Sequence, residues 1–184
     1  MKLLICSDIH GDLESAKKVL SEFDRHGAEK LVILGDILYH GPRNDLPKSY
    51  SPKGVIQLLN ERRNKILAVR GNCDTEVDAM VLDFNILADY AYISDGIATM
   101  LLTHGHKYNL ENLPSLSRGD ILLHGHTHVP TFTEFGDKNV YINPGSTSIP
   151  KNGSLPSYIL DESGAFTRYS IDGEILDCDT LKTE

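Results

Sequence analysis

Five short stretches of the chain carry side chains able to bind a cation or move a proton. They are Asp8-Ile9-His10, Gly35-Asp36, Gly71-Asn72-Cys73, His104-Gly105-His106 and His124-Gly125-His126-Thr127-His128. Each follows a short apolar run: KLLIC, LVIL, KILAV, IATMLLT and DILL. Imidazole and carboxylate together suit borderline divalent ions such as manganese, iron, nickel or zinc. Asp8, His10, Asp36, Asn72, His104, His126 and His128 make seven potential ligands, too many for one tetrahedral zinc. Two ions sharing a bridging carboxylate fit better. Taken singly, each stretch also reads as a hydrogen-bonded histidine or a turn. The joint pattern carries the metal reading.

The elements that position these residues follow from the apolar pattern. KLLIC (2–6), LVIL (31–34) and KILAV (65–69) are continuous apolar runs, as expected of strands covered on both faces. Leu13, Ala16, Val19, Leu20 and Phe23 recur at helical spacing, and His26-Gly27 closes that helix. Residues 35–50 form a long loop with Pro42 and Pro47. Ser51-Pro52 then opens a second helix, with Val55, Ile56, Leu58 and Leu59 as its apolar face. This βαβαβ order predicts a mostly parallel sheet. After about residue 85 the chain turns strand-rich. Asp95-Gly96, Gly136-Asp137, Ser163-Gly164 and Asp172-Gly173 punctuate short strands, and DILLHG is one more buried run. Two packed sheets flanked by helices are the expectation. In open α/β sheets ligands gather outside the carboxyl ends of strands, where all five stretches fall.

Composition narrows the function. At 184 residues, 1–184 suits one domain. The 26 Asp plus Glu exceed the 18 Lys plus Arg, for a formal charge of −8. That argues against a nucleic-acid polymer as partner, while a small charged substrate is still compatible with a local field. Cys6, Cys73 and Cys178 are far apart and form no CxxC, so a reducing compartment is expected. The start MKLLICSD is too short in apolar length for a signal peptide, and no segment approaches a membrane span. A cytoplasmic protein is the expectation.

The order D-x-H, GD, GN, H, GHxH resembles the calcineurin-like metallophosphoesterase superfamily. SDIHG, VILGDILYHGPRN, AVRGNCDTEVD, LTHGH, GHTH and NPGSTSIP carry the likeness, to at least residue 161. It implies an α/β fold, a four-layer α/β/β/α sandwich of two mixed sheets flanked by helices. It implies that Asp8, His10, Asp36 and His128 hold one ion. Asp36, Asn72, His104 and His126 would hold the second, with Asp36 bridging. Manganese is the metal it implies first, and a homo-oligomer is its expectation for assembly. The implied activity is hydrolysis of a small phosphodiester by a hydroxide held between the two ions. The same fold also serves as a non-catalytic metal-binding scaffold, and a phosphomonoesterase is a third reading. One departure matters. Many members carry His directly after the Asn and use it toward the leaving group, whereas this chain has Cys73. A thiol is a weak proton donor, so aryl leaving groups are expected to be favoured over alkyl ones. Nucleophilic attack by Cys73 itself has no Cys/His dyad to support it.

The other polar residues divide. His40, Arg43 and Asn44, in the loop after Asp36, contact substrate or anchor the loop. Arg70 neutralises phosphate or pairs with Asp74 or another acid. His106 supports a ligand or substrate from beside His104. His124 is expected to pack, and Cys6 and Cys178 to act as small apolar strand residues. The turn Asn143-Pro144-Gly145-Ser146 is expected near the metals.

Overall fold

Apolar side chains alternate across the strands, and the alternation builds two cores on either side of one sheet. In β1 (Lys2–Cys6), Leu4 and Cys6 join a cluster that includes Ala16, Val19, Phe23, Val55 and Leu59 of the helices. Leu3 and Ile5 point the other way, toward Met100, Leu102, Ile121, Leu123 and Ile142 of a second sheet. β2 (Lys30–Ile33) repeats the pattern, with Leu31 and Ile33 under the helices and Val32 between the sheets. These residues are buried, and each such side chain contributes about 1.5–3 kcal/mol. The computed structural model of the protein describes residues 1–94 and 96–181.

The first sheet has six strands, ordered β11-β10-β9-β1-β2-β3. β1, β2 and β3 (Ile66–Ala68) run parallel. β9 (Ser157–Glu162), β10 (Ala165–Ser170) and β11 (Ile175–Thr180) form an antiparallel meander. That meander pairs back onto β1, with Leu4 opposite Leu160. The division into a parallel half and a meander half is therefore not the division into sheets. The second sheet is β4-β5-β6-β8-β7. β4 (Tyr90–Ser94) and β5 (Thr99–Thr103) form the expected hairpin; Asp95 of its turn lies outside the described residues. β5, β6 (Ile121–Leu123) and β8 (Asn139–Asn143) are parallel, and β7 (Thr131–Phe135) is antiparallel to β8.

α1 (Leu13–His26) begins at Asp12, whose carboxylate accepts from Ser15 N and also from Ser49 N, tying the helix to the long loop. It ends at Gly27, whose φ of 62° supplies the left-handed turn of a C-cap. α2 (Pro52–Asn60) starts at the expected Pro, but Ser51 makes no side-chain cap bond. A third, four-residue helix, α3 (Glu76–Ala79), is closed by a Thr75–Asp78 capping box and was not expected. α1 and α2 cover the first sheet. On the outer face of the second, Leu101, Leu122 and Tyr141 are covered in part by Leu116, which lies in a segment without helix. Cys6 is buried as expected, whereas Cys178 is exposed on edge strand β11. No helix among the described residues is long and apolar enough to cross a membrane.

Candidate metal centre

The parallel strands of both sheets end at one seam. Asp8 and His10 follow β1, Asp36 follows β2 and Asn72 follows β3; His104 follows β5, and His126 and His128 follow β6. Bringing short side chains inward within two residues of a strand end requires abrupt turns. Asp8, His10, Asp36, His126 and His128 all have φ between 48° and 66°. Left-handed backbone is uncommon for residues other than glycine, and it concentrates at functional sites. Two glycines allow the close approach. A Cβ on Gly71 would lie 2.1 Å from Asp36 Oδ1, and one on Gly125 would lie 1.9 Å from Ser7 Oγ.

Hydrogen bonds set the tautomers. Nδ1–H of His10 donates to Tyr39 O, that of His128 to Ile149 O and that of His104 to Leu34 O, each at 2.7 Å. A carbonyl only accepts, so Nδ1 holds the proton and Nε2 turns its lone pair to the seam. His10 Nε2 and His128 Nε2 face each other at 3.3 Å. Asp8 Oδ1 lies 3.5 Å from the first and 3.2 Å from the second. That oxygen is buried, and no donor among the described residues bonds to it. A buried acceptor beside two opposed lone pairs fits a cation. His10 Nε2 also lies 3.7 Å from Asp36 Oδ2. The same oxygen is 3.5 Å from His104 Nε2, which in turn is 3.0 Å from Asn72 Oδ1 and 3.2 Å from His126 Nδ1. Asp36 Oδ2 thus stands between the His10 and His104 rings, and the mixed nitrogen and oxygen donors around it suit divalent ions.

Charge follows the same plan. Burial alone would raise the Asp8 carboxyl, but the His10, His128 and His104 imidazoles beside it hold it well below the usual range. Burial likewise opposes charge on His104, yet Asp36 and Asp8 outweigh it and lift its pKa from 6.5 to about 9. His10 is raised too, by Asp8 against burial. In the metal-free protein protons take the place of cations between the carboxylates.

Supporting residues beyond the seven reach the site through backbone groups. Asp74, 2% exposed, accepts from the N–H groups of Asp36, Ile37 and Gly71 at 2.8–2.9 Å, joining the ends of β2 and β3. Ser146 and Ser148 both donate to Asp8 O, so the NPGSTSIP turn lies at the centre as expected. Asp8 Oδ2 accepts from Ser7 Oγ and from His126 N, which ties the two sheets together. Asp74 carries no sequence signal of its own: a buried acceptor of backbone N–H groups looks like any loop aspartate.

The seam opens into a cavity of about 390 Å³ lined by Asp36, Asn72, Cys73, His126 and His128, with Arg43 and Lys151 at its rim. Cys73 Sγ groups with His10 and Asp36, their ligand atoms within 4.8 Å of one another. Burial first, then Asp36, pushes that thiol well above its ordinary pKa. Of the residues assigned to substrate from sequence, Arg43 lines the cavity. Arg70 instead pairs with Glu76 at 3.2 Å and donates to Asp74 O. His40 packs edge-on between Tyr39 and Tyr50. His106 stands beside the His104 and His126 rings. His124 stacks on Tyr141 as a packed residue.

Buried imidazole and carboxylate at the strand ends of a two-sheet sandwich define a class, and the chain belongs to it: residues 1–163 match the calcineurin-like phosphoesterase superfamily domain. As that family implies, its cofactors are divalent metal ions. The chain is 50% identical to phosphodiesterase YfcE of Escherichia coli (strain K12) over 158 residues, which cover 86% of this chain and 85% of that protein. The solved structure of the E. coli phosphoesterase Yfce superposes with a TM-score of 0.95 at 44% identity, covering 99% of this chain and all of that one. Zinc-bound Vps29 of Entamoeba histolytica shares the fold, with a TM-score of 0.58 at 21% identity over 97% of both chains.

Two expectations follow from this geometry. Asp74→Asn puts an amide NH₂ against at least one backbone N–H, because both carboxylate oxygens are in use. It should lower stability by about 2 kcal/mol and weaken metal retention, read by urea unfolding and metal analysis. Unchanged values for both would show that the Asp74 bonds do not hold the ligand loops. The second concerns pH. A raised His104 pKa adds stability that is complete below 6.5 and lost as pH rises through about 9. The melting temperature of metal-free protein should fall across that interval, while metal affinity rises as protons stop competing. Calorimetry at several pH values measures both.

Proposed function

We propose that the protein is a metal-dependent phosphodiesterase acting on small phosphodiesters, with 1–184 working as one metallophosphoesterase domain. The observation that carries this reading is Asp36 Oδ2 set between His10 Nε2 and His104 Nε2, at 3.7 and 3.5 Å. Asp8, His10, Asp36 and His128 hold one ion, and Asp36, Asn72, His104 and His126 the other. Two such ions, when bound, supply Lewis acidity toward phosphoryl oxygens and make water acidic enough to react near neutral pH. The Nδ1–H anchors keep three of the rings from turning as substrate enters. Asn72, a neutral amide, leaves its site with a single carboxylate and so the more electrophilic. Arg43 and Lys151 at the cavity rim offset the charge of an incoming phosphate. Manganese is our assignment, with iron, nickel and zinc as alternatives. Three unpaired cysteines support a cytoplasmic setting. A nucleic-acid polymer is disfavoured by the acidic balance. We assign a homo-oligomer, which light scattering tests.

Cys73 shapes the substrate range. A buried thiol beside Asp36 keeps its proton and is a poor acid for an alkoxide leaving group. Esters whose leaving group departs as a stable anion are therefore preferred.

With Mn²⁺ added, turnover of bis-p-nitrophenyl phosphate should far exceed that of p-nitrophenyl phosphate. The reverse order would favour a monoesterase, and metal uptake with no turnover would favour a binding scaffold. Asp36→Asn should lower bound metal at both sites and cut turnover by about a hundredfold or more. Full metal content and activity in that variant would overturn the shared-ligand arrangement. Cys73→His should raise turnover of alkyl-leaving diesters relative to aryl ones by about tenfold or more. Cys73→Ser should keep most aryl turnover; its complete loss would give the thiol a larger part than proton retention.

A further inference from the structure

A second cleft, of about 640 Å³, opens beside the metal cavity, and Arg43, Asn44 and Lys151 line both. Its walls are the loop 43–49, the start of α1 and the segment 148–151. One wall is tied to a proposed metal ligand and the other to residues of the long loop and the start of α1. Lys151 N–H donates to His128 O. The opposite loop is held by Asp12, which accepts from Ser49 N, and by Asn44, which donates to His40 O. The cleft therefore keeps a set position relative to Asp36 and His128.

Its charge is unlike that of the molecule. The chain carries −8, and many of its basic residues are paired with acids, among them Lys17 with Glu14, Lys18 with Asp172, Arg25 with Glu22, Arg62 with Asp24 and Lys107 with Asp89. Arg43, Lys48 and Lys151 have no carboxylate partner among the described residues, and all three line this cleft. Of the acids on its walls, Asp12 is used as a helix cap and Glu14 holds Lys17. Only Asp45 opposes the three cations. An excess of unengaged positive charge in a cleft focuses potential there.

We infer that this cleft binds a second anionic group, a carboxylate or phosphate, carried on one ester arm of the substrate. The inference rests on the phosphodiesterase reading for its first anion, the diester phosphate at the metal cavity. Arg43 and Lys151 take the arm at the neck between the two spaces, and Lys48 lies deeper along the cleft wall. The substrate class narrows to small diesters with an anion at both the phosphorus and an arm. Uniformly neutral-armed diesters then occupy the metal cavity alone.

The test pairs two diesters that share a leaving group, p-nitrophenyl hexyl phosphate and p-nitrophenyl carboxypentyl phosphate, assayed on the Mn²⁺-loaded protein. The carboxypentyl ester should show a kcat/KM about fivefold higher through KM, as two exposed ion pairs imply, and salt should erase the difference. In Lys48→Gln/Lys151→Gln the ratio should fall to near one, while Lys65→Gln, outside the cleft, should leave the ratio unchanged. Titration calorimetry with hexylphosphonate, phosphonohexanoate and hexane bisphosphonate reads binding without turnover, and distinguishes carboxylate from phosphate. Cleavage of both diesters with no preference, or a preference that survives the double substitution, overturns the inference and leaves the phosphodiesterase reading standing. No cleavage, but tighter lysine-dependent binding of either dianionic probe, overturns the phosphodiesterase reading and upholds the cleft. Absence of both overturns both.

Discussion

Two buried carboxylates within an imidazole shell are the constraint on which the structure depends. Asp8 and Asp36 are 0% and 2% exposed, and the nitrogens nearest them belong to His10, His104 and His128. Such an arrangement is unfavourable without positive charge. It also holds five residues of the seam in left-handed backbone, at a cost of at least about 1 kcal/mol each. Their sum is a sizeable part of the 5–15 kcal/mol net stability of an ordinary domain. The surrounding chain offsets it with bonds to backbone groups: three N–H donors into Asp74, and two serine hydroxyls onto Asp8 O. Cations complete the balance, so metal affinity and fold stability draw on the same interactions.

The seam is built from both sheets. The first supplies Asp8, His10, Asp36 and Asn72, and the second supplies His104, His126 and His128. Their relative position comes from the apolar layer of Leu3, Ile5, Val32, Met100, Leu102 and Ile142 between them. At the seam itself the sheets are joined by His104 donating to Leu34 O and His126 N to Asp8 Oδ2. A shift of packing in that layer would move these residues apart, since close-packed cores transmit displacement instead of absorbing it.

Much of this was legible in the chain. Buried parallel strands announce themselves as continuous apolar runs, and the polar residues just past them are the ones that gather at the seam. The sandwich, the first two helices and the turns at Gly136-Asp137, Ser163-Gly164 and Asp172-Gly173 were readable for the same local reasons. Where the C-terminal meander pairs was not. Ser163-Gly164 and Asp172-Gly173 specify neighbours in sequence, but nothing local says that β9 lies against β1 and not in the second sheet. α3 is a single turn, too short to show a period. Arg70 could pair with phosphate or an acid on sequence grounds, and only the fold turns it to Glu76. Asp74 was hidden because its role is to accept backbone protons, a role that depends on three-dimensional approach alone.

Fold likeness by itself leaves function open. An E. coli phosphoesterase and a vacuolar sorting protein both share this architecture, the former at a TM-score of 0.95 and the latter at 0.58. Side-chain chemistry at the strand ends distinguishes what such a sandwich can do. Here all seven donors are present, three rings are anchored by Nδ1–H bonds, and one Asp36 oxygen stands between the His10 and His104 rings. The seam opens on one side to a cavity that Arg43 and Lys151 also line, so an anion entering there meets cationic side chains beside the buried imidazoles and carboxylates.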